Sequence, residues 1–328
     1  MVKLKIGVIG VGYWGQNFIR IIENNKELFT LVALVDQKKQ NLLTYKEKAK
    51  TFSNVDDLIK SEIEIDCCIV ATSTITHFEI TNKLLNAGIN CLVEKPITAN
   101  LKEAQKLFGI ANKKNLTLMV DHTFLYDNGI LELKKYIDSG TLGKILHISF
   151  ERTNLGPIRS DVNAAWDLSA HDLSIILSII KKDPINIYVA AKAFLNNEIE
   201  DMFNISLDFG DIFVTIFTSW YHPVKSRVIK VVGDQKMAVW NGLDPNNELI
   251  IYDKGVTKNI AKYDYGSNRY TLKFGDVLIP AFEKSEPLKN VIVDFYNRIN
   301  KLKNNELNDT NLTLRLIKLL EEINKKVK

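Results

Sequence analysis

The feature that most restricts the fold is a regular alternation of short apolar runs and amphipathic segments over the first 120 residues. The runs are apolar throughout rather than at every second position, which is typical of parallel strands buried on both faces. Segments with helical spacing separate them, as in repeated βαβ units, so the pattern predicts a doubly wound parallel sheet. The predicted strands are Leu4–Ile9, Leu31–Val35, Cys67–Ala71, Cys91–Val93 and Leu116–Val120, and the predicted helices are Asn17–Asn24, Lys38–Lys50, Thr76–Asn86 and Leu101–Lys113.

The pattern changes after about residue 125, where closely spaced strands follow one another with little helix between them. Such runs imply a largely antiparallel sheet with one open face. We therefore expect an α/β domain over residues 1–123 and an α+β domain over residues 124–328, joined intimately with a cleft between them. The predicted helices are Asn128–Ser139, Trp166–Ile180, Leu288–Leu302 and Leu312–Lys326, and the predicted strands are Lys144–Glu151, Ile185–Ala193, Met202–Phe209, Ile212–Ser219, Arg227–Val232, Met237–Trp240 and Glu248–Tyr252.

The composition excludes several classes of protein. A chain of 328 residues with 46% hydrophobic and 25% charged residues is an ordinary globular sequence, long enough for two cores. Its net charge of +4 is too small to indicate a nucleic-acid or membrane partner. The apolar runs are shorter than a membrane span. Because Cys67, Cys68 and Cys91 are few and lie in apolar runs, we expect buried thiols in a cytoplasmic protein without a metal site.

The segment Gly10–Gly15 has the spacing G-x-G-x-x-G and lies between the first predicted strand and helix. In a βαβ unit, such glycines allow a tight turn, a close approach to a pyrophosphate and helix–strand packing, and the helix amides hold the phosphates. Asp36 ends the second strand, where a carboxylate can bind ribose hydroxyls. The alternative is a turn with a solvated Asp. We favour NAD over NADP because Asp36 would repel a 2′-phosphate, although Lys38 and Lys39 lie close by.

Two further strands end in polar residues, at the edge where open α/β sheets bind ligands. Ala71-Thr72-Ser73 follows the third predicted strand. Beyond it, His77 either touches the cofactor or caps the next helix. Glu94-Lys95-Pro96 follows the fourth strand, where Pro96 forces a sharp exit and directs Lys95 towards the cleft. The alternative for Lys95 is an exposed turn residue.

Asp167 and His171 lie four positions apart on the apolar second-domain helix, so their side chains share one face. A carboxylate beside an imidazole can fix its tautomer and support general acid–base catalysis. The pair could equally be a surface pair or a hydrogen-bonded core histidine, and spacing alone does not decide between them.

These motifs, in this order, resemble the Gfo/Idh/MocA oxidoreductases over essentially the whole chain. The resemblance implies a Rossmann-type first domain, an NAD(P)-dependent reaction on a CH–OH group of a sugar or polyol, a cis Pro96, and a reacting centre of Lys95, Asp167 and His171. In that reading, His171 takes the hydroxyl proton, Asp167 supports it, and Lys95 binds the reacting oxygen. The predicted cofactor-binding residues are Gly10, Gly12, Tyr13, Trp14, Gly15, Asp36, Ala71, Thr72, Ser73, His77, Glu94 and Lys95.

The segment 152–163 and the segment 120–126 are similar to members encoded with bacterial surface-polysaccharide and nucleotide-sugar genes. Arginines and asparagines in a Gly-Pro loop can hold hydroxyls, carboxylates or phosphates. Alternatively, Arg152 and Arg159 pair with Glu151 and Asp161 to order the loop, and His122 is a packed histidine. The predicted substrate-binding residues are His122, Arg152, Asn154, Arg159 and Asn163.

The predicted second-domain strands carry many aromatic residues, and an apolar sheet face requires a cover. One side would be covered by helices and the other by a second subunit, which the resemblance also implies, giving a homodimer or homotetramer. The rival functions are a redox-neutral reaction through bound NAD and a non-catalytic cofactor sensor. The aromatic residues are Phe203, Phe209, Phe213, Phe217, Trp220, Tyr221 and Trp240.

Overall fold

The computed structural model describes residues 2–195, 198–258, 270–302 and 305–327. The chain forms two compact units. The first comprises Met1–Tyr126 and Ser285–Glu321, and the second comprises Asp127–Lys284 and Glu322–Lys328. The observed division therefore differs from the expected one, because a segment near the C-terminus packs with the first unit.

The first unit contains a six-stranded sheet in the order β3-β2-β1-β4-β5-β6, with every neighbouring pair parallel. This confirms the predicted doubly wound sheet. The carboxyl ends of its strands carry the glycine turn, Asp36, Ala71-Thr72-Ser73 and Glu94-Lys95. Its elements are β1 (Leu4–Ile9), α1 (Tyr13–Asn24), β2 (Phe29–Val35), α2 (Lys39–Leu42), a 3₁₀ turn (Leu43–Tyr45), β3 (Lys50–Phe52), α3 (Val55–Lys60), β4 (Cys67–Val70), α4 (Thr74–Asn86), β5 (Asn90–Val93), α5 (Leu101–Lys113), β6 (Leu118–Val120) and a 3₁₀ turn (Thr123–Tyr126).

The long helix predicted over residues 38–50 is wrong. Only α2 and the following 3₁₀ turn are helical, and β3 pairs with β2 at the edge of the sheet. Leu42 and Leu43 are adjacent, so their side chains point to different sides of the helical turn. Leu42 is accordingly buried while Leu43 is exposed.

The second unit contains an eight-stranded sheet in the order β14-β13-β12-β11-β7-β10-β9-β8. All neighbouring pairs are antiparallel except β10 and β7, which confirms the largely antiparallel sheet. The strand β14 was not predicted. The elements are α6 (Asn128–Asp138), β7 (Ile145–Thr153), a π-helical turn (Ala165–Ser169), α7 (Ala170–Ile179), β8 (Asn186–Lys192), β9 (Met202–Asp208), β10 (Phe213–Ser219), β11 (Ser226–Gly233), β12 (Met237–Asn241), β13 (Leu249–Lys258) and β14 (Tyr270–Leu278).

Two helices complete the chain, α8 (Pro287–Ile299) and α9 (Thr310–Lys325). A buried carboxylate on α8 explains why this segment belongs to the first unit. Asp294 accepts hydrogen bonds from the hydroxyl of Tyr126 at 2.6 Å and from Arg298 Nε at 2.8 Å. Tyr296 of the same helix packs edge-on against Phe29 of β2, with ring centroids 5.6 Å apart. Polar and aromatic contacts thus bind α8 to the parallel-sheet unit.

The prediction for the open sheet face needs correction, because most of its aromatic residues are buried. Phe203, Phe209, Trp220 and Trp240 lie in the core, while Phe213 and Tyr221 remain exposed and Phe217 is half-buried. Alternate strand residues face opposite sides of a sheet, so the aromatic residues divide between the two faces. In the described ranges, no helix has both the length and the apolar character required to cross a bilayer.

Candidate active site

Glycine occupies positions 10, 12 and 15, where β1 leads into α1, for different structural reasons. Gly10 has φ +88°, and a Cβ there would lie 2.6 Å from the carbonyl oxygen of Ala71. A Cβ on Gly15 would lie 1.8 Å from the carbonyl oxygen of Gly10. A Cβ on Gly12 would meet no atom within 4 Å. The fold itself therefore requires glycine at positions 10 and 15, whereas glycine at position 12 leaves room for a ligand to approach.

The N-terminus of α1 suits a phosphate group. Gly12 is the N-cap residue and offers no side chain to the first amides of the helix. Such amides and the helix dipole favour an anion. A cavity of about 500 Å³ lies beside this turn within the first unit. Its walls include Gly10, Gly12, Asp36, Ala71, Thr72 and Ser73, all of which the sequence predicts as cofactor residues.

Asp36 is bound closely to the glycine turn. Its Oδ2 accepts a hydrogen bond from the amide of Val11 at 2.8 Å and one from Asn41 Nδ2 at 3.0 Å. Its Oδ1 accepts from the amide of Lys38 at 2.7 Å. A carboxylate can accept further hydrogen bonds from ribose hydroxyls. The residues of the turn and of the cavity therefore fit a dinucleotide.

Tyr13 and Trp14 are the first residues of α1, immediately after Gly12. Both are exposed, and their rings meet edge-on with centroids 5.8 Å apart. They lie beside the glycine turn, as the prediction for the cofactor site requires.

His77 does not line the cavity, so its predicted contact with the cofactor is not supported. The side chain is 1% exposed. Its Nδ1 lies 2.8 Å from the carbonyl oxygen of Pro96, and its Nε2 lies 3.0 Å from that of Thr72. His77 thus joins the segments that follow β4 and β5, which is neither the cofactor contact nor the helix cap considered above.

Lys95 lies next to a buried pair of carboxyl groups at the ends of β5 and β6, those of Glu94 and Asp121. Glu94 accepts a hydrogen bond from the amide of Lys95 at 3.0 Å and is itself hydrogen-bonded to Asp121. Burial, and then the charge of Asp121, raise the pKa of Glu94 well above its usual value. Burial raises the pKa of Asp121 to about 6, and Thr123 donates to its Oδ1 at 2.7 Å. Both shifts favour the protonated forms, so this pair of carboxyl groups releases its protons at a higher pH than free carboxyl groups do.

Two more features belong to this region. The peptide bond between Lys95 and Pro96 is cis, as the resemblance implied. His122 is 2% exposed, and its Nε2 lies 3.2 Å from the hydroxyl of Thr313. Burial, and then the charge of Lys95, lower the pKa of His122 to about 3. The packed alternative thus describes His122 better than a substrate contact.

In the second unit, Asp167 lies in the π-helical turn and His171 lies in the first turn of α7. The sequence predicted a plain α-helix here. Both side chains are half-buried, although the neighbouring Trp166, Ala170 and Asp172 are buried. Single π-turns inside helices are frequent at functional sites. The helix therefore leaves two titratable residues accessible, four positions apart.

Asp167 is held by two donors from other parts of the second unit. Trp220 Nε1 donates to its Oδ2 at 3.0 Å, and an Arg159 guanidinium nitrogen lies 3.3 Å from its Oδ1. Arg159 also donates to both oxygens of Asp161, at 2.9 and 2.6 Å. The alternative in which Arg159 pairs with Asp161 is therefore observed, with Asp167 as an additional partner. No sequence motif links Trp220 to Asp167, because the two residues lie 53 positions apart in the chain.

The other residues of the predicted substrate loop have structural roles. Arg152 is buried and donates from Nε to Asp172 at 2.9 Å, a pairing that the sequence alternatives did not include. Asn163 is buried and its Oδ1 accepts from the amide of Trp166 at 3.2 Å, at the start of the helix. Asn154 is half-buried, and its backbone amide donates to the carbonyl oxygen of Ser219 at 3.0 Å. Of this predicted set, Asn154 and Arg159 retain partly exposed side chains.

The fold and these sites define a dinucleotide-binding oxidoreductase with a separate second domain. The chain belongs to the Gfo/Idh/MocA oxidoreductase family. Residues 4–122 match the family's NAD-binding Rossmann fold, and residues 130–239 match its C-terminal domain. In the part of the chain that the structure describes, no group of three or more His, Cys, Asp and Glu is arranged to hold a metal ion.

Relatives extend over most of the chain. It is 26% identical to a UDP-N-acetylglucosamine 3-dehydrogenase of Acidithiobacillus ferrooxidans over 78% of this chain and 79% of that protein. It is 23% identical to a scyllo-inositol 2-dehydrogenase (NADP(+)) of Bacillus subtilis over 75% and 71% of the two chains. A solved structure of the Acidithiobacillus ferrooxidans enzyme superposes with a TM-score of 0.81 at 23% identity, covering 100% of this chain and 98% of the other. At that identity, the superposition shows a shared fold.

Proposed function

We propose that the protein is an NAD-dependent dehydrogenase acting on a secondary alcohol of a sugar, nucleotide sugar or polyol. The observation that carries the proposal is the half-buried pair Asp167 and His171 on a largely buried helix, in a chain whose first domain is an NAD-binding Rossmann fold. The named activities of the two relatives, on a UDP-sugar and on an inositol, support the substrate class.

Each residue of the proposed centre has a distinct task. His171 takes the hydroxyl proton of the alcohol, and Asp167 supports the protonated imidazole electrostatically. Lys95 hydrogen-bonds the reacting oxygen. NAD, held by the glycine turn and Asp36, would supply the acceptor for the hydride of the same carbon, which converts the alcohol to a ketone. The protein also positions the alcohol against the cofactor, and such positioning accounts for much of the rate in reactions of this kind.

The glycine turn and Asp36 would hold the cofactor. Gly10, Gly12 and the first amides of α1 receive the pyrophosphate, and Asp36 receives the ribose hydroxyls. The carboxylate is already hydrogen-bonded to Val11 and lies on the cavity wall, so a 2′-phosphate would meet its negative charge. We therefore propose a preference for NAD over NADP.

The test is a panel of UDP-N-acetylglucosamine, UDP-glucose and inositols, each with NAD and with NADP, followed by the absorbance of the reduced nicotinamide. With the best substrate, His171→Ala should lower turnover by about two to four orders of magnitude and leave NAD affinity nearly unchanged. His147→Ala is the matched control, because His147 lies on β7 of the same unit and its Nε2 lies 3.1 Å from the hydroxyl of Thr215 on β10. Full turnover by the His171 variant, or no turnover by the wild type with any member of the panel, would contradict the proposal.

The same proposal includes a cytoplasmic homodimer or homotetramer. Cys67, Cys68 and Cys91 are buried free thiols, and burial raises the pKa of each, which makes them unreactive. Phe213 and Tyr221 expose apolar surface on the second unit. A second copy of the chain would bury this surface.

A further inference from the structure

We propose that Trp220 is a positioning residue for Asp167, holding the carboxylate in the orientation that His171 requires. The inference rests on the proposed function. It concerns residues of the second unit alone, and the sequence motifs do not include Trp220.

The indole donor is attached to a rigid part of the sheet. Trp220 is 2% exposed and directly follows β10, whose last residue, Ser219, pairs with β7 on one side and β9 on the other. The amide of Trp220 also donates to the carbonyl oxygen of Asp201 at 3.0 Å. The backbone and the ring are therefore both fixed, so Trp220 cannot follow Asp167 if the carboxylate rotates.

Trp220 and Arg159 are different kinds of donor to Asp167. Arg159 belongs to the loop between β7 and the π-turn, and its stronger contacts are with Asp161. Its charge stabilises the carboxylate, but the loop that carries it is partly exposed. Trp220 contributes a neutral, directional donor from the sheet. The indole hydrogen bond is thus a directional contact from the rigid sheet that restricts the rotation of the carboxylate, while Arg159 adds a charge-assisted contact.

A fixed carboxylate matters for the imidazole four residues away. A base is effective when its ring is oriented towards the proton it removes, and a positioned carboxylate supplies that orientation. A misplacement of about 1 Å in such a group can cost on the order of a hundredfold in rate. Loss of the indole donor should therefore lower turnover without removing any group that touches the substrate.

The chain offers a matched control in Trp240. It is 1% exposed, lies on β12 of the same sheet and donates from Nε1 to Glu248 Oε1 at 3.1 Å. Trp240→Phe and Trp220→Phe thus each remove one buried indole–carboxylate hydrogen bond. Glu248 is not part of the proposed reacting centre.

The hydrogen bond can be tested without any substrate. The indole N–H signals of the four tryptophans are assigned in ¹⁵N-labelled protein by the Trp→Phe variants. Asp167→Asn should shift the signal of Trp220 and leave that of Trp240 in place, whereas Glu248→Gln should do the reverse. An unshifted Trp220 signal in Asp167→Asn would overturn the inference.

The kinetic test separates positioning from folding. Trp220→Phe should lower kcat by about ten- to a hundredfold with KM changed less than about threefold, and Trp240→Phe should leave both within about twofold. An unchanged kcat in Trp220→Phe, or an equal loss in Trp240→Phe, would overturn the role. Failure of the proposed function is recognised separately, because His171→Ala would then retain full turnover whatever the indole signals show.

Discussion

At the scale of single residues, the glycine turn shows how one motif can combine two physical requirements. Gly10 and Gly15 are required by the protein's own backbone, since a Cβ at either position would overlap a carbonyl oxygen. Gly12 is not required in this way. Its extended backbone, with φ −78°, is open to any residue, so the reason for glycine there is access for a ligand.

This difference leads to a prediction for Gly12→Ala. Without cofactor, the substitution should change the free energy of unfolding by less than about 1 kcal/mol, since the new Cβ meets no neighbour. NAD affinity should fall at least about tenfold, because the methyl group takes the space of the pyrophosphate. Urea unfolding and titration calorimetry measure the two effects. Gly15→Ala is the contrast and should cost about 1–3 kcal/mol or more. Wild-type NAD affinity in Gly12→Ala would refute the assignment.

Sequence reasoning succeeded where the chemistry depends on local spacing and failed where it depends on a distant partner. Gly10, Asp36 and Lys95 lie at strand ends that the alternating pattern locates. Arg152 looks like a ligand residue in sequence, but its buried partner Asp172 lies on a helix 20 residues further on. Similarly, the carbonyl oxygens that bind His77 belong to two different loops. Pairing across elements is not encoded in a short motif.

At the scale of elements, the ends of β5 and β6 bring the carboxyl groups of Glu94 and Asp121 together next to Lys95. The register of these strands places Val93 opposite Val120, so the next residues, Glu94 and Asp121, become neighbours. The sequence predicted both strands but not this pair, since parallel register is not visible in either segment alone. Likewise, the π-turn at Asp167 could not be distinguished from an α-helix by its apolar pattern.

The carboxyl pair predicts a pH dependence of stability. Both groups have a raised pKa in the folded protein. From about pH 4 to pH 6 and above, the folded state therefore binds more protons than the unfolded state. Stability is therefore lost as the pH rises through this range, by on the order of 3 kcal/mol for the shift of Asp121 from 3.8 to about 6.

Asp121→Asn should make this loss shallower, without abolishing it, because burial still acts on Glu94. Urea unfolding at several values from about pH 4 to about pH 8 gives the slope. Asp211→Asn is the control, since Asp211 is exposed and its hydrogen bond to Lys182 lowers its pKa. Identical slopes for the wild type and Asp121→Asn would contradict the raised pKa of Asp121 in the folded protein.

At the scale of the whole molecule, the boundary between the units is where the sequence was least informative. The C-terminal helices carry ordinary amphipathic patterns, and nothing local marks α8 as part of the first unit. The decisive feature is the acceptor Asp294, whose donors Tyr126 and Asn305 lie on either side of it in the chain. A domain boundary drawn along the sequence cannot represent such a return of the chain.

The outer face of the second unit's sheet leads to the last prediction. Register places Tyr188, Ser206 and Thr215 in a row across β8, β9 and β10, and Phe213 lies on the same side of β10. Phe213 is 42% exposed. Tyr188 and Phe213 thus expose apolar side chains on a face that also carries the polar Ser206 and Thr215, and such a mixed face suits a self-complementary contact between two copies.

Light scattering after size exclusion should therefore give the wild type a mass that is a multiple of 37.3 kDa. Phe213→Asp should shift the mass towards 37.3 kDa, because a charge in a buried contact has no partner. Leu43→Asp, at a similarly exposed apolar residue of the first unit, should leave the mass unchanged. A wild type that already runs as a single chain would disprove the oligomer, and an oligomer indifferent to Phe213→Asp would locate its interface on another surface.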